Sequence, residues 1–473
     1  MSAIVRIQRK TLKSKDSVLH SEINRALVLE PDEVHHLGGP SRGVRGAIMP
    51  GPGQELKAGL REGISDDLAA SVNFDDLAAM VGRRRGERAQ IEQAVKERLL
   101  GPSPSIDVDR FGVLGPAFRL DVDGFNAELL SQLSGRCHGF VYRLLEKDGP
   151  GLSVQSGWAR DPADGDVRWH PDVRMHVASV SKMITAMAAV KALADASVPV
   201  RTEIWPWLPM YWQPRGPNID RVTFQMLLTH ESGLWHATSD EIDFDEVKAN
   251  VYRGALLGVP LGIEKYQNVN FSLFRILIPV LTGAIKPSMT APSGDEAETD
   301  RLWDALTIKA YGDYVHENVF APANVVHART VSSAGDALAY RWPNPAGGWD
   351  SGDLSDYSGT VAWHLSANEL VRIMQALTDG SIVGRNRMHR MLDGGWGVDQ
   401  AGMTRAGPYF LKPGSWQGGM NQIVQAVAGL LPGELPFAVL VNSDLVNGAP
   451  TPASVDLVRV VMAAATAHTA PAA

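Results

Sequence analysis

One cysteine, Cys137, stands in a chain of 473 residues. An intrachain disulfide and a cysteine-based zinc site are therefore excluded. Long apolar runs are missing too: no stretch reaches the ~18 uninterrupted apolar residues of a membrane span. The longest candidate, Phe271–Ile285, is interrupted by Arg275 and reads as a buried helix. Nor is there an excess of positive charge. Lys and Arg total 45 against 53 Asp and Glu, a formal net charge of -8. That balance speaks against nucleic acid or an anionic membrane as a partner. The opening MSAIVRIQRKTLKSKDSVLHSE is basic, yet no apolar segment of signal-peptide length follows it. A cytoplasmic location is the expectation. With 44% hydrophobic and 21% charged residues the chain sits at the globular average, which rules out disorder throughout and a coiled coil.

Two textures divide what is present. Residues 1–110 form an N-terminal extension with a Gly/Pro-rich stretch, Gly38–Gly53. A helical pattern follows over about Ser65–Leu100, with Leu68, Leu77, Met80, Ile91, Val95 and Leu99 as core-facing positions. The string DDLAA occurs at Asp66–Ala70 and again at Asp75–Ala79, an offset too short for a solenoid and read as coincidence. Arg83–Arg85 reads as a solvated basic run. Residues 111–473 look like a folded enzyme domain. Phe140–Glu146 and Leu152–Trp158 flank the turn Lys147–Gly151 and predict a hairpin. Ile423–Leu430 and Phe437–Asn442 flank a second turn at Leu431–Glu434, and an apolar helix follows at about Ala453–Ala465. Helical patterns dominate residues 200–400. The economical fold is α+β: an antiparallel sheet assembled from both ends of the domain, flanked by helices, with a mostly helical subdomain inserted.

Three short motifs carry chemistry. Ser179-Val180-Ser181-Lys182 opens a segment with apolar residues at Val180, Met183, Ile184, Met187 and Val190, one face of a helix. Positions three apart share a face, so the Lys182 ammonium can reach the Ser179 hydroxyl. A serine hydroxyl needs a nearby base to become a nucleophile, and a buried lysine of lowered pKa can be that base. By itself SxxK is a weak signal, since about one occurrence is expected by chance in such a chain. A capping serine with an exposed lysine is the plainer reading of it. Tyr266-Gln267-Asn268 precedes the apolar helix and can point two polar groups into a cleft. Lys412-Pro413-Gly414-Ser415 puts a cation and a close-approaching backbone on a strand.

Taken together, these motifs resemble the serine β-lactamase and penicillin-binding-protein superfamily. The likeness is to the branch of class C β-lactamases, D-Ala-D-Ala carboxypeptidases, D-aminopeptidases and family VIII esterases. It covers about residues 125 to 468. Supporting strings are Met175–Lys182, Thr223–Leu234 (similar to "LLTHTSGL"), Tyr266–Phe271 (similar to "YSNxxY") and Val319–Asn324 (similar to "PLGM"). The resemblance implies that Ser179 is the acylated nucleophile, with Lys182 as general base, sharing that role with Tyr266. It implies that Tyr266 passes the proton to the leaving group and that Asn268 holds Lys182 and a substrate amide. Lys412 would supply positive potential near Tyr266 and any substrate carboxylate. The Ser179 and Ser415 N–H groups would form the oxyanion hole, donors worth roughly 3–4 kcal/mol each, and Gly414 would let the substrate approach. No cofactor or metal is implied.

Lys412-Pro413-Gly414 departs from the family's Lys-Thr-Gly and from the esterases' His-x-Gly. Proline removes a hydroxyl that could bind a substrate carboxylate. An esterase or amidase of small acyl substrates is therefore the first expectation. A β-lactamase or D-Ala peptidase, an acyltransferase and a non-catalytic binding relative stand as alternatives. The partner expected is a small-molecule ester, amide or lactam. Other motifs lack the context their chemistry needs. Gly39–Gly43 matches GxSxG without the strand and helix that motif needs. His230 and His236 are six apart, not the four of a zinc helix. His35-His36 reads as surface, while Trp158, Trp235 and Trp416 are either core or cleft-lining residues.

Overall fold

Strands from opposite ends of the chain build one seven-stranded antiparallel sheet, in the order Val167–Arg168, Leu152–Arg160, Gly139–Leu144, Leu435–Val441, Ile423–Leu431, Gly407–Gln417 and Gln400–Thr404. The computed structural model describes residues 52–83, 118–147, 149–234, 243–255, 265–447 and 455–471, all within one compact unit. Three helices open the described chain: α1 (Pro52–Leu60), α2 (Asp66–Ser71) and α3 (Phe74–Arg83). Then come β1 (Phe118–Leu120), α4 (Val122–Leu133), β2 (Gly139–Leu144), β3 (Leu152–Arg160), β4 (Val167–Arg168) and β5 (Arg174–His176). The helical region holds α5 (Ser181–Asp195), α6 (Phe224–Leu228), α7 (Phe244–Arg253), α8 (Val269–Leu281) and α9 (Glu296–Val315). It continues with β6 (His364–Ser366), α10 (Ala367–Thr378) and α11 (Arg385–Asp393). The chain then returns to the sheet through β7 (Gln400–Thr404), β8 (Gly407–Gln417), β9 (Ile423–Leu431) and β10 (Leu435–Val441). It closes with α12 (Leu457–Ala467) and β11 (Thr469–Pro471), which pairs with β1.

Alternation along the strands makes three layers. On β10, Phe437, Val439 and Val441 face a core shared with Leu129 and Leu133 of α4 and Val461 of α12. Ala438 and Leu440 face the other way, into the larger core that contains α5, α8 and α9. This is the period-2 pattern of a sheet covered on both sides. β2 pairs with β10 from Phe140↔Val441 to Leu144↔Phe437, closing the sheet between the two ends of the domain. The two hairpins lie where the turn signals put them, with Gly151, Gly433 and Glu434 at positive φ.

Three expectations change. The helix read over Ser65–Leu100 breaks at Val72, which is extended. Asn73 then starts a new helix, its side chain accepting the Asp75 and Asp76 N–H groups. Both DDLAA strings therefore begin helices, after Ser65 and near Asn73, where acidic residues complement the N-terminal dipole. Second, α5 is buried on all sides, with twelve buried residues, because it runs between the sheet and α8 and α9. Third, the extension is not set apart over its described part. Leu60, Ile64, Leu68, Phe74 and Leu77 belong to the same core as α5 and α8. The Ser65 N–H donates to the Ala284 carbonyl, and the Lys286 N–H to the Gly63 carbonyl. Ile91, Val95, Leu99, Arg84, Arg85, His35-His36 and the Gly39–Gly43 motif lie outside the described residues.

The apolar segment near residue 275 is α8, buried throughout. Its Arg275 is 1% exposed, ion-paired with Asp304 at 3.0 Å and donating to the Asp356 carbonyl. Among the described residues no helix is long and apolar enough to cross a membrane.

Candidate active site

The site begins at a turn. Ser179 lies in a single 3₁₀ turn, Ala178–Val180, and α5 starts two residues later at Ser181. Ala178 holds φ at 47°, a left-handed conformation that L residues with a Cβ rarely adopt. That bend leaves Ser179 partly exposed while Val177, Ala178 and Val180 are buried. Lys182 follows one turn on and is fully buried. Its Nζ donates to Ser179 Oγ at 2.9 Å and to the Thr360 carbonyl at 3.4 Å.

Tyr266 comes from the segment just before α8. Its hydroxyl donates to Ser179 Oγ at 2.9 Å. Two lysines flank its ring: Lys182 Nζ is 5.2 Å and Lys412 Nζ 4.9 Å from the centroid. His230 covers Tyr266, with ring centroids 4.3 Å apart. Its Nδ1 accepts the Gln267 backbone N–H at 3.2 Å, which holds the segment in place. Burial, with Lys412 and Lys182 nearby, drives the His230 pKa well below its ordinary value, so this ring is neutral. His236 and Trp235 lie outside the described residues.

On β8, residues 412, 414 and 416 share the sheet face turned toward Ser179. Gly414 packs against the turn itself: a Cβ there would stand 2.4 Å from the Val177 carbonyl oxygen and 3.0 Å from the Ser179 nitrogen. Ser415 is exposed, opposite Gln425 of β9. Trp416 packs against His176 and Tyr357 at the same end of the strand. Trp158 is elsewhere, stacked under Arg168 of β4.

The electrostatics follow from burial and two cations. Lys182 titrates below its ordinary value, first because it is buried and further because Lys412 is near; Tyr266 opposes this. Burial alone would raise the Tyr266 phenol. The Lys182 and Lys412 ammonium groups outweigh it and bring the phenol below its ordinary value. Burial disfavours charge on Lys412, but Asp399 and Tyr266 more than offset this, so it titrates above its ordinary range.

Two partners were not anticipated. Thr360 supplies a second acceptor to Lys182, the contact expected of Asn268. The Asn268 side chain is not among the partners of Lys182; its carbonyl accepts the Phe271 and Ser272 N–H groups at the head of α8. Gly359, at φ 93°, turns the chain so that the Thr360 carbonyl reaches the lysine. Asp399, just before β7, forms an ion pair with Lys412. Among the described residues no cluster of three or more His, Cys, Asp or Glu could hold a metal.

This arrangement sits in a fold with known relatives. The family model described as Beta-lactamase matches residues 127–455. The chain belongs to that family, whose members are serine hydrolases. A sequence relative is the putative penicillin-binding protein PbpX of Bacillus subtilis (strain 168), 22% identical over 260 residues, 52% of this chain. The match spans 56% of that relative's length. Among solved structures, a D-stereospecific amidohydrolase from Streptomyces sp. superposes with a TM-score of 0.53 at 17% identity, over 73% of this chain and 98% of that one. A class C beta lactamase from Rhodobacter sphaeroides gives 0.51 at 15% identity, over 73% and 98%. At those identities the structural likeness establishes the fold: an antiparallel sheet flanked by helices.

Proposed function

We propose that this chain is a serine hydrolase that works through an acyl-enzyme on Ser179, an esterase or amidase of small acyl substrates. One observation carries the reading. The hydroxyl of Ser179, a half-buried residue, lies 2.9 Å from both the Lys182 amine and the Tyr266 phenol, and both groups titrate below their ordinary values, Lys182 through burial and Tyr266 through the two neighbouring ammonium groups. In the first step Ser179 Oγ bonds to the substrate carbonyl carbon and its proton passes to Lys182 or Tyr266. The carbon–leaving-group bond then breaks as Tyr266 returns a proton to the departing oxygen or nitrogen. Water adds to the acyl-enzyme, releasing the acid and restoring Ser179. The Ser179 and Ser415 N–H groups serve as oxyanion donors, a role supported by the packing of Gly414 against the Ser179 turn.

The test is a fluorophosphonate probe followed by mass spectrometry, alongside turnover of a short-chain p-nitrophenyl ester. The expected result is one adduct, on Ser179, with turnover abolished in Ser179→Ala and the thermal transition nearly unchanged. Wild-type turnover by that variant overturns the assignment.

A further inference from the structure

Lys412 and Asp399 are locked together beside the nucleophile. Register between β7 and β8 pairs Gln400 with Leu411, so Asp399 falls one step further on, opposite Lys412. Their side chains form an ion pair in which Lys412 is completely buried and Asp399 is 18% exposed. From Asp399 an unbroken chain of contacts runs through Lys412 and Tyr266 to Ser179 Oγ. The two lysines nearest the hydroxyl are both committed: Lys182 to Ser179 and Thr360, Lys412 to Asp399. What remains accessible of the Lys412–Asp399 pair is the carboxylate. The residue after Lys412 is Pro413, which has no hydroxyl to offer.

From this geometry we infer that Asp399 is a specificity-determining residue: it occupies the charge of Lys412, so the site takes substrates whose leaving group carries no carboxylate. The inference rests on the hydrolase reading and narrows it. Tyr266 stands where the leaving group departs, and Lys412 adjoins Tyr266, so a leaving-group carboxylate would have to approach Asp399. Like charges brought together in a water-poor site repel strongly. Neutral alcohol or amine leaving groups meet no such penalty, and those with a cationic substituent gain a partner. Penicillin-like and peptide substrates that end in a free carboxylate are disfavoured on the same ground. Replacing Asp399 by asparagine keeps the shape and a hydrogen-bond acceptor but frees the Lys412 charge.

A matched pair of esters tests this: phenyl butyrate and 3-carboxyphenyl butyrate, compared by kcat/KM on the full chain. Wild type is expected to favour the uncharged ester by about tenfold or more, and Asp399→Asn to shrink that ratio by about fivefold or more, mainly through faster turnover of the charged ester. Equal turnover of both esters by wild type overturns the inference without any variant. So does an unchanged ratio in a folded Asp399→Asn, its fold checked by circular dichroism. Fluorophosphonate labelling separates the two levels of the argument. An unlabelled Ser179 sinks the hydrolase reading and this inference with it, whereas a labelled Ser179 with an unmoved ratio sinks this inference alone.

Discussion

Gly414 and Ser179 stand backbone to backbone: a Cβ at 414 would lie 3.0 Å from the Ser179 nitrogen and 2.4 Å from the Val177 carbonyl oxygen. Neither obstacle is a flexible side chain, so only displacement of β8 or of the Ala178–Val180 turn could accommodate it. Gly414→Ala is expected to cost about 1–3 kcal/mol through overpacking. It is also expected to slow ester turnover by about a hundredfold or more, because misplacing reacting groups by an ångström has that effect. Thermal melting and steady-state kinetics together check this. A variant with both properties unchanged would show that the strand and the turn do not need this contact.

Tyr266 and Lys182 both hydrogen-bond to Ser179 Oγ, and either can take its proton. Acylation needs one of them in its basic form. Both titrate below their ordinary values, so kcat/KM is expected to rise with pH on a limb centred below 10.0 if the phenol is the base and below 10.5 if the amine is. Tyr266→Phe keeps the ring against His230 and removes only the hydroxyl. Its expected effect is a loss of about 10²–10⁴ in kcat/KM, in the range of general acid–base catalysis. The pH profile then assigns the limb. If the residual activity keeps the same limb, Lys182 owns it; if the limb disappears, the phenol does.

The sequence signals that worked were local. Alternation and Gly/Pro turns marked both hairpins because a strand's pattern is written in adjacent residues. Ser179 and Lys182 were found as a pair because one helical turn joins them. Tyr266, Lys412 and Gly414 stand out as short motifs but take their roles from the resemblance, and the structure brings all three to Ser179. Asp399 left no trace, since its contact with Lys412 depends on the register of two strands rather than on spacing. Thr360 meets Lys182 across 178 positions and uses its backbone, which has no residue signature. The Lys182 contact expected of Asn268 falls to Thr360 instead, because proximity in a motif does not say which polar group wins a buried ammonium. The all-round burial of α5 was hidden because alanines fill its remaining faces, and small residues read as neutral in a helical pattern.

His176 and His364 face each other across β5 and β6, both buried, with ring centroids 5.6 Å apart. Burial, with His364 beside it, lowers His176 to about 3, and burial, with the Arg329 guanidinium nearby, lowers His364 to about 4. Both are therefore neutral in the fold at pH 7. Their folded values lie below the unfolded 6.5, so the unfolded chain binds more protons between about pH 3 and 6.5. Their contribution is unchanged above pH 6.5 and stability is lost as pH falls through that window. At pH 5 the loss is about 2 kcal/mol for each ring, counting about 1.4 kcal/mol per pH unit. Urea unfolding at pH 7.5 and pH 5.0 measures the difference. His364→Gln is expected to narrow it, and an equal difference in that variant would exclude His364 as a source.

Leu60, far ahead of the Ser179 motif in the chain, is a core residue. At 1% exposure it lies in the same core as Phe271 and Trp303, next to the Gly63–Lys286 backbone pairing. An extension that merely accompanied the enzyme would tolerate its loss. A core residue would not: Leu60→Ala removes buried methyl groups and leaves a cavity, at a cost of about 2–5 kcal/mol. Because α1 to α3 pack near α8 and α9 rather than on β8, kcat is expected to stay within about threefold of wild type at temperatures where the variant is folded. Chemical denaturation tests the first claim and ester kinetics the second. A fully stable Leu60→Ala would mean that residues 52–83 contribute little to the fold they touch.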